Sequence, residues 1–163
     1  MIRSTPKIVT PEKALMRLEE LCVKAERCES EARTKLRTWK ISADDTEDII
    51  NSLIRRRFID DARYASAFVR DRYRFARWGR RRIVLELRRK RIASEHIEEA
   101  LDEIVEDEYI DILEHLIKAK SARMERPLSY DDRAALYRFA AGRGYEPDLI
   151  SWVLKKVASA EEE

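Results

Sequence analysis

The chain repeats itself. Sliding it by 51 residues superposes Ala14 on Ala65, Leu18 on Val69, Leu36 on Leu87, Ile41 on Ile92 and Leu53 on Ile104 without a gap. A slide of 53 continues the series, with Ile83 on Leu136, Leu87 on Ala140, Ile97 on Ile150 and Leu101 on Leu154. A fixed internal period marks a tandem array. A unit of this size buries its apolar faces poorly alone, so neighbours must stack. The repeat therefore predicts three units in an elongated, curved rod that offers long surfaces to partners.

Within each period the apolar spacing is helical. Thr10 caps a first helix with Pro11 at its first position, and Ala14, Leu15, Leu18 and Leu21 follow on one face. A second helix is predicted over 30–40, and a third after the cap Ser42 with Ile49, Ile50, Leu53 and Ile54 inward. Asp60-Asp61 opens a fourth, which Trp78-Gly79 breaks. A fifth covers 80–90 with Ile83, Leu85 and Leu87, and Ser94 caps a sixth. A seventh spans 108–123, an eighth starts at Tyr130-Asp131 and stops at Gly142 to Gly144, and Glu146-Pro147 opens the last. Only three Gly and four Pro interrupt the chain, and no stretch alternates as a strand would. The expected fold is all-α, about nine helices in three tandem three-helix repeats over 11–57, 58–106 and 107–158. A flexible arm over 1–10 and a frayed acidic tail over 159–163 flank them.

Charge is segregated along the chain. Residues 55–91 hold fifteen basic and four acidic side chains, a net of +11, whereas 93–117 hold ten acids and no Lys or Arg, a net of −10. The basic block is almost all arginine, which suits two-pronged contacts to carboxylate or phosphate. Two consequences stay open. The middle repeat presents a basic surface to a polyanion or an acidic protein groove, or the acidic block folds back and neutralises it. The interleaved Tyr64, Phe68, Tyr73, Phe75 and Trp78 read mostly as core.

No site for chemistry emerges. There is no glycine-rich phosphate loop. His96 and His115 lie far apart without a metal-ligand pattern, and neither neighbours a nucleophile and carboxylate. Cys22 and Cys28 form no C-x-x-C pair and read as reduced thiols. No apolar run fits a signal peptide or a spanning helix. The expectation is a cytoplasmic protein, not an enzyme, with no cofactor, no metal and no membrane contact, and monomeric.

The stretch Phe58-Ile59-Asp60-Asp61-Ala62-Arg63-Tyr64-Ala65 resembles the signature of the RecX family. Trp78 to Ile92 is similar to that family's basic helix ending in L-R-x-K-G-I, with Arg91 in place of the usual Gly. Lys40 stands in the corresponding place of the first unit, and Gly144 keeps the Gly in the third. The resemblance implies stacked three-helix repeats that bind the RecA–DNA filament, lie in its groove and inhibit strand exchange, ATP hydrolysis and co-protease activity. It thereby implies a role in regulating DNA repair. On that reading Arg70, Arg74, Arg77, Arg80, Arg81, Arg82, Arg88 and Arg89 meet the recombinase or the DNA within the filament. Asp60, Asp61, Arg63, Tyr64 and Ala65 are architectural. Rival readings are a helical-repeat DNA-binding protein acting without a recombinase, and a scaffold whose basic and acidic blocks pair between copies.

Overall fold

The computed structural model describes residues 7–160; residues 1–6 of the expected arm and 161–163 of the expected tail lie outside them. Among the described residues there are nine helices and no strand. They are α1 (Pro11–Lys24), α2 (Glu29–Thr38), α3 (Ala43–Arg55), α4 (Asp61–Arg74), α5 (Arg80–Arg89), α6 (Ser94–Asp102), α7 (Glu106–Ser121), α8 (Tyr130–Gly142) and α9 (Pro147–Ser159). The helices pack in threes: α1 and α2 against α3, α4 and α5 against α6, and α7, α8 and α9 against one another. Across the repeats α4 lies against α7. The accessible surface is 11227 Å². A compact monomer of 19.3 kDa would expose about 8,500 Å². The excess is that of an elongated stack.

The capping chemistry explains most boundaries. Thr10 Oγ1 accepts from the Lys13 amide at 3.2 Å, Ser42 Oγ from Asp45 at 3.2 Å, and Asp60 Oδ1 from Arg63 at 3.1 Å. Ser129 and Asp132 form a reciprocal capping box at the start of α8. Two boundaries differ from the sequence expectation. Ser94 is the first helical residue of α6, and Ala93 occupies the cap without a side-chain bond. α7 begins at Glu106, where Glu106, Asp107 and Glu108 face the positive end of the helix dipole.

The second helix of every repeat ends in the same turn. The amides of Ile41, Ile92 and Tyr145 reach back to the carbonyls of Leu36, Leu87 and Ala140 at 3.0, 3.1 and 3.2 Å. The residue before each has a positive φ: Lys40 at 57°, Arg91 at 57° and Gly144 at 97°. This is the helix-ending motif that glycine fits best. Lys40 and Arg91 therefore keep the family turn while bearing its steric cost.

The core divides unevenly. Ala14, Leu18, Ala32, Leu36, Ile49, Ile50, Leu53 and Ile59 form one cluster inside the first repeat. The second and third repeats share a single cluster running from Ala65 and Val69 through Tyr73 and Tyr109 to Ile150 and Val157. Among the described residues of the first repeat, only Cys28 joins it. Phe75, which follows the end of α4, and Ile54 are expected inward but exposed, and Leu85, expected inward like them, is 49% exposed. It lies two positions from both Ile83 and Leu87, a separation that puts it on the opposite side of the helix.

Candidate functional site

The eight arginines singled out in sequence divide between internal and outward roles. Arg80, at the start of α5, serves the junction between the second and third repeats. Its guanidinium pairs with Glu146 at 2.9 Å and with Glu106, and it lies 4.1 Å from the Tyr109 ring centroid. Burial works to lower its pKa, but the hydrogen bond it donates to Glu106 and the nearby Glu146 charge leave it raised. The Tyr109 hydroxyl accepts the Arg80 amide at 2.9 Å and donates to Glu146. Burial foremost, and then the Glu146 hydrogen bond, drive the Tyr109 pKa far above the ordinary phenol range. Arg74 is held by Glu108 at 2.8 and 3.3 Å, which raises its pKa. The acidic block thus neutralises part of the basic one.

The remaining six face outward to different degrees. Arg82 lies 4.0 Å from the Trp78 ring centroid, and Arg72 lies 5.0 Å from the same centroid. Arg89 pairs with Glu86 one helical turn back at 2.7 Å while staying exposed. Arg77 is exposed, and its carbonyl accepts from Arg143 at 3.0 Å and Tyr145 at 3.2 Å. Arg70, Arg81 and Arg88 are exposed and make no ion pair among the described residues. On α5, Arg81, Leu85 and Arg88 recur at helical spacing along one face, opposite the buried Ile83 and Leu87. That row, two free guanidinium groups with an apolar side chain between them, can grip planar anions and an apolar neighbour together.

The Asp60–Ala65 stretch builds the fold. Asp60 caps α4. Asp61 Oδ1 accepts the Glu29 amide at 2.9 Å and so ties the start of α2 to the next repeat. Arg63 pairs with Glu26 at 2.7 Å and donates to the carbonyls of Arg57 and Phe58 at 3.1 and 3.3 Å. Tyr64 and Ala65 are buried. Sequence reasoning missed Cys28, Tyr109, Arg143, Tyr145 and Glu146, whose partners lie in the adjacent repeat. The only available hint was the quasi-equivalence of the repeats: Cys28 and Gly79 occupy matching positions before the second helices.

No group of three His, Cys, Asp or Glu side chains suited to a metal occurs among the described residues. No helix there is long and apolar enough to cross a membrane. Fold and surface together define a helical-repeat protein with an outward arginine row.

Comparison with known proteins narrows that class. Residues 60–101 match the family model "RecX, second three-helix domain". A regulatory protein RecX of Vibrio parahaemolyticus is 34% identical over 110 residues, 68% of this chain and 69% of its own length. One of Thermotoga petrophila is 31% identical over 136 residues, 83% of this chain and 79% of its own. One of Clostridium beijerinckii is 31% identical over 145 residues, and the chain spans 65% of that relative's length. The crystal structure of RecX from Lactobacillus salivarius superposes with a TM-score of 0.80 at 24% identity, covering 90% of this chain and 95% of that one. The chain belongs to the RecX family of regulatory proteins.

Proposed function

We propose that this protein binds the filament that a RecA-type recombinase forms on DNA and restrains it, inhibiting ATP hydrolysis, strand exchange and co-protease activity. The family's regulatory character supports the reading, and the RecA partner comes from the sequence resemblance. The observation that carries it is the outward row Arg81, Leu85 and Arg88 on an elongated scaffold, in a repeat that also exposes Arg70, Arg77 and Arg89. A rod that carries outward arginines can span neighbouring subunits of a polymer. Occupying two subunits at once opposes changes in their mutual geometry. A ligand with differential affinity for one filament state shifts the filament toward it.

The test is recombinase-catalysed ATP hydrolysis on single-stranded DNA, titrated with this protein. Suppression at substoichiometric protein, weakened by Arg81→Glu with Arg88→Glu, is the expected result. Unchanged hydrolysis with the protein folded and in excess contradicts the reading. Tight binding to naked DNA in the same samples, falling steeply with salt, replaces it with a recombinase-independent DNA-binding protein.

A further inference from the structure

Two open clefts on the surface are copies of one another. The first, of about 570 Å³, lies between the outward face of α2 and the C-terminal turn of α5. The second, of about 560 Å³, lies between the outward face of α5 and the C-terminal turn of α8. The 51-residue shift carries Ser30, Thr34 and Arg37 of the first onto Arg81, Leu85 and Arg88 of the second. The 53-residue shift carries Arg89 and Arg91 onto Gly142 and Gly144. Helix α5 is the wall between them, and its Glu86 and Arg89 line both.

Both clefts are basic. Seven Lys or Arg side chains line the first against Glu31 and Glu86, and four Arg line the second against Glu86 alone. Lys35, Arg37, Arg81 and Arg88 are exposed and make no ion pair among the described residues. Apolar side chains reach each cleft from different positions: Leu21 of α1 in the first, and Val84 and Leu85 of α5 in the second, where the first has Arg33 and Thr34. A phosphodiester backbone has no use for an apolar wall. An acidic protein segment carrying one apolar side chain uses both the basic side chains and that wall, and Glu86 is already paired with Arg89.

We propose that the two clefts are successive copies of one docking site, each taking an acidic segment with an apolar anchor from one of two neighbouring, identical subunits of a protein filament. This rests on the filament reading above. Duplication in register, one repeat apart, matches a partner that is itself repeated. Linking two such sites on one rod raises the overall affinity by roughly 100-fold or more over either alone.

The experiment measures affinity for assembled recombinase filaments and for unassembled recombinase subunits. The proteins are the wild type, a first-cleft variant (Lys35→Glu with Arg37→Glu), a second-cleft variant (Arg81→Glu with Arg88→Glu) and the fourfold combination. Circular dichroism verifies that each is folded. The expected wild-type preference for filament over subunit is roughly 100-fold. Either cleft variant loses that preference, and the combination binds more weakly than both. A filament preference that stays near the wild-type value after reversal of either cleft overturns the two-site proposal alone. Absence of wild-type binding to the filament overturns the proposed function and this occupant with it. Equal losses on bare single-stranded DNA identify phosphate as the ligand and overturn the acidic-segment assignment.

Discussion

The backbones of Gly79 and Gly144 lie in direct contact across the junction of the second and third repeats. The Gly79 amide donates to the Arg143 carbonyl at 2.8 Å, and the Arg81 amide to the Gly144 carbonyl at 3.0 Å. A Cβ on Gly79 would sit 2.2 Å from the Gly144 carbonyl carbon and the Tyr145 nitrogen. Neither is the end of a flexible side chain, so the repeats themselves would have to part.

Gly79→Ala is therefore expected to cost about 3 kcal/mol, read from urea unfolding. The same change at Gly142, where an added Cβ meets nothing within 4 Å, lacks that steric penalty. Equal effects at the two positions would contradict the close approach.

The helix-ending turns give a substitution of the opposite sign. Lys40 is exposed and holds φ at 57°. Lys40→Gly removes a left-handed conformation that costs an L-residue roughly 1–2 kcal/mol, while adding some chain entropy to the unfolded state. The expected net is a stabilisation of about 0.5–1 kcal/mol by the same measurement. A loss of stability would show that the lysine side chain matters more than its backbone.

Acid stability should involve Glu114. Its carboxylate is hydrogen-bonded to Lys118 and to Lys156 of α9, each at 2.9 Å, and these bonds hold its pKa below the ordinary 4.5. The folded state then binds this proton less readily than the unfolded one. Its contribution is present above pH 4.5 and is lost as pH falls through the lower, folded value. Glu114→Gln should flatten the acid limb of a stability profile and leave its shape near neutral pH unchanged.

The cysteines report on the first junction. Cys28 is fully buried and its thiol pKa is raised by burial, whereas Cys22 is only partly buried. A thiol reagent should label Cys22 first. Cys28 should react only as fast as the junction held by Asp61, and by Ser30 Oγ donating to the Lys90 carbonyl at 2.5 Å, opens. Asp61→Ala should speed labelling of Cys28 without changing that of Cys22.

Much of this was legible in the chain because a repeat writes the same pattern three times. The registers 51 and 53 place Ile83 and Leu87 where Leu136 and Ala140 recur, and both pairs are buried. Leu85 shows the limit of counting apolar residues without their angle, since two positions along a helix turn a side chain to the far side. Arg80 and Arg81 show a deeper limit. They are adjacent and chemically identical, yet Arg80 is committed to Glu146, 66 residues away, while Arg81 is free. Local sequence carries no record of such a partner. The same holds for the fused core of the second and third repeats, which depends on how α4 meets α7. It follows that Arg80→Ala is a poor probe of docking: its effect would register in stability, whereas Arg81→Glu should register in binding.

The most direct measurement is sedimentation of the folded wild-type chain with recombinase filaments assembled on single-stranded DNA, beside naked DNA and free recombinase. The chain should pellet with the filament at salt concentrations where naked DNA no longer carries it down. Pelleting equally with naked DNA, or not at all with the filament, would contradict the proposed function.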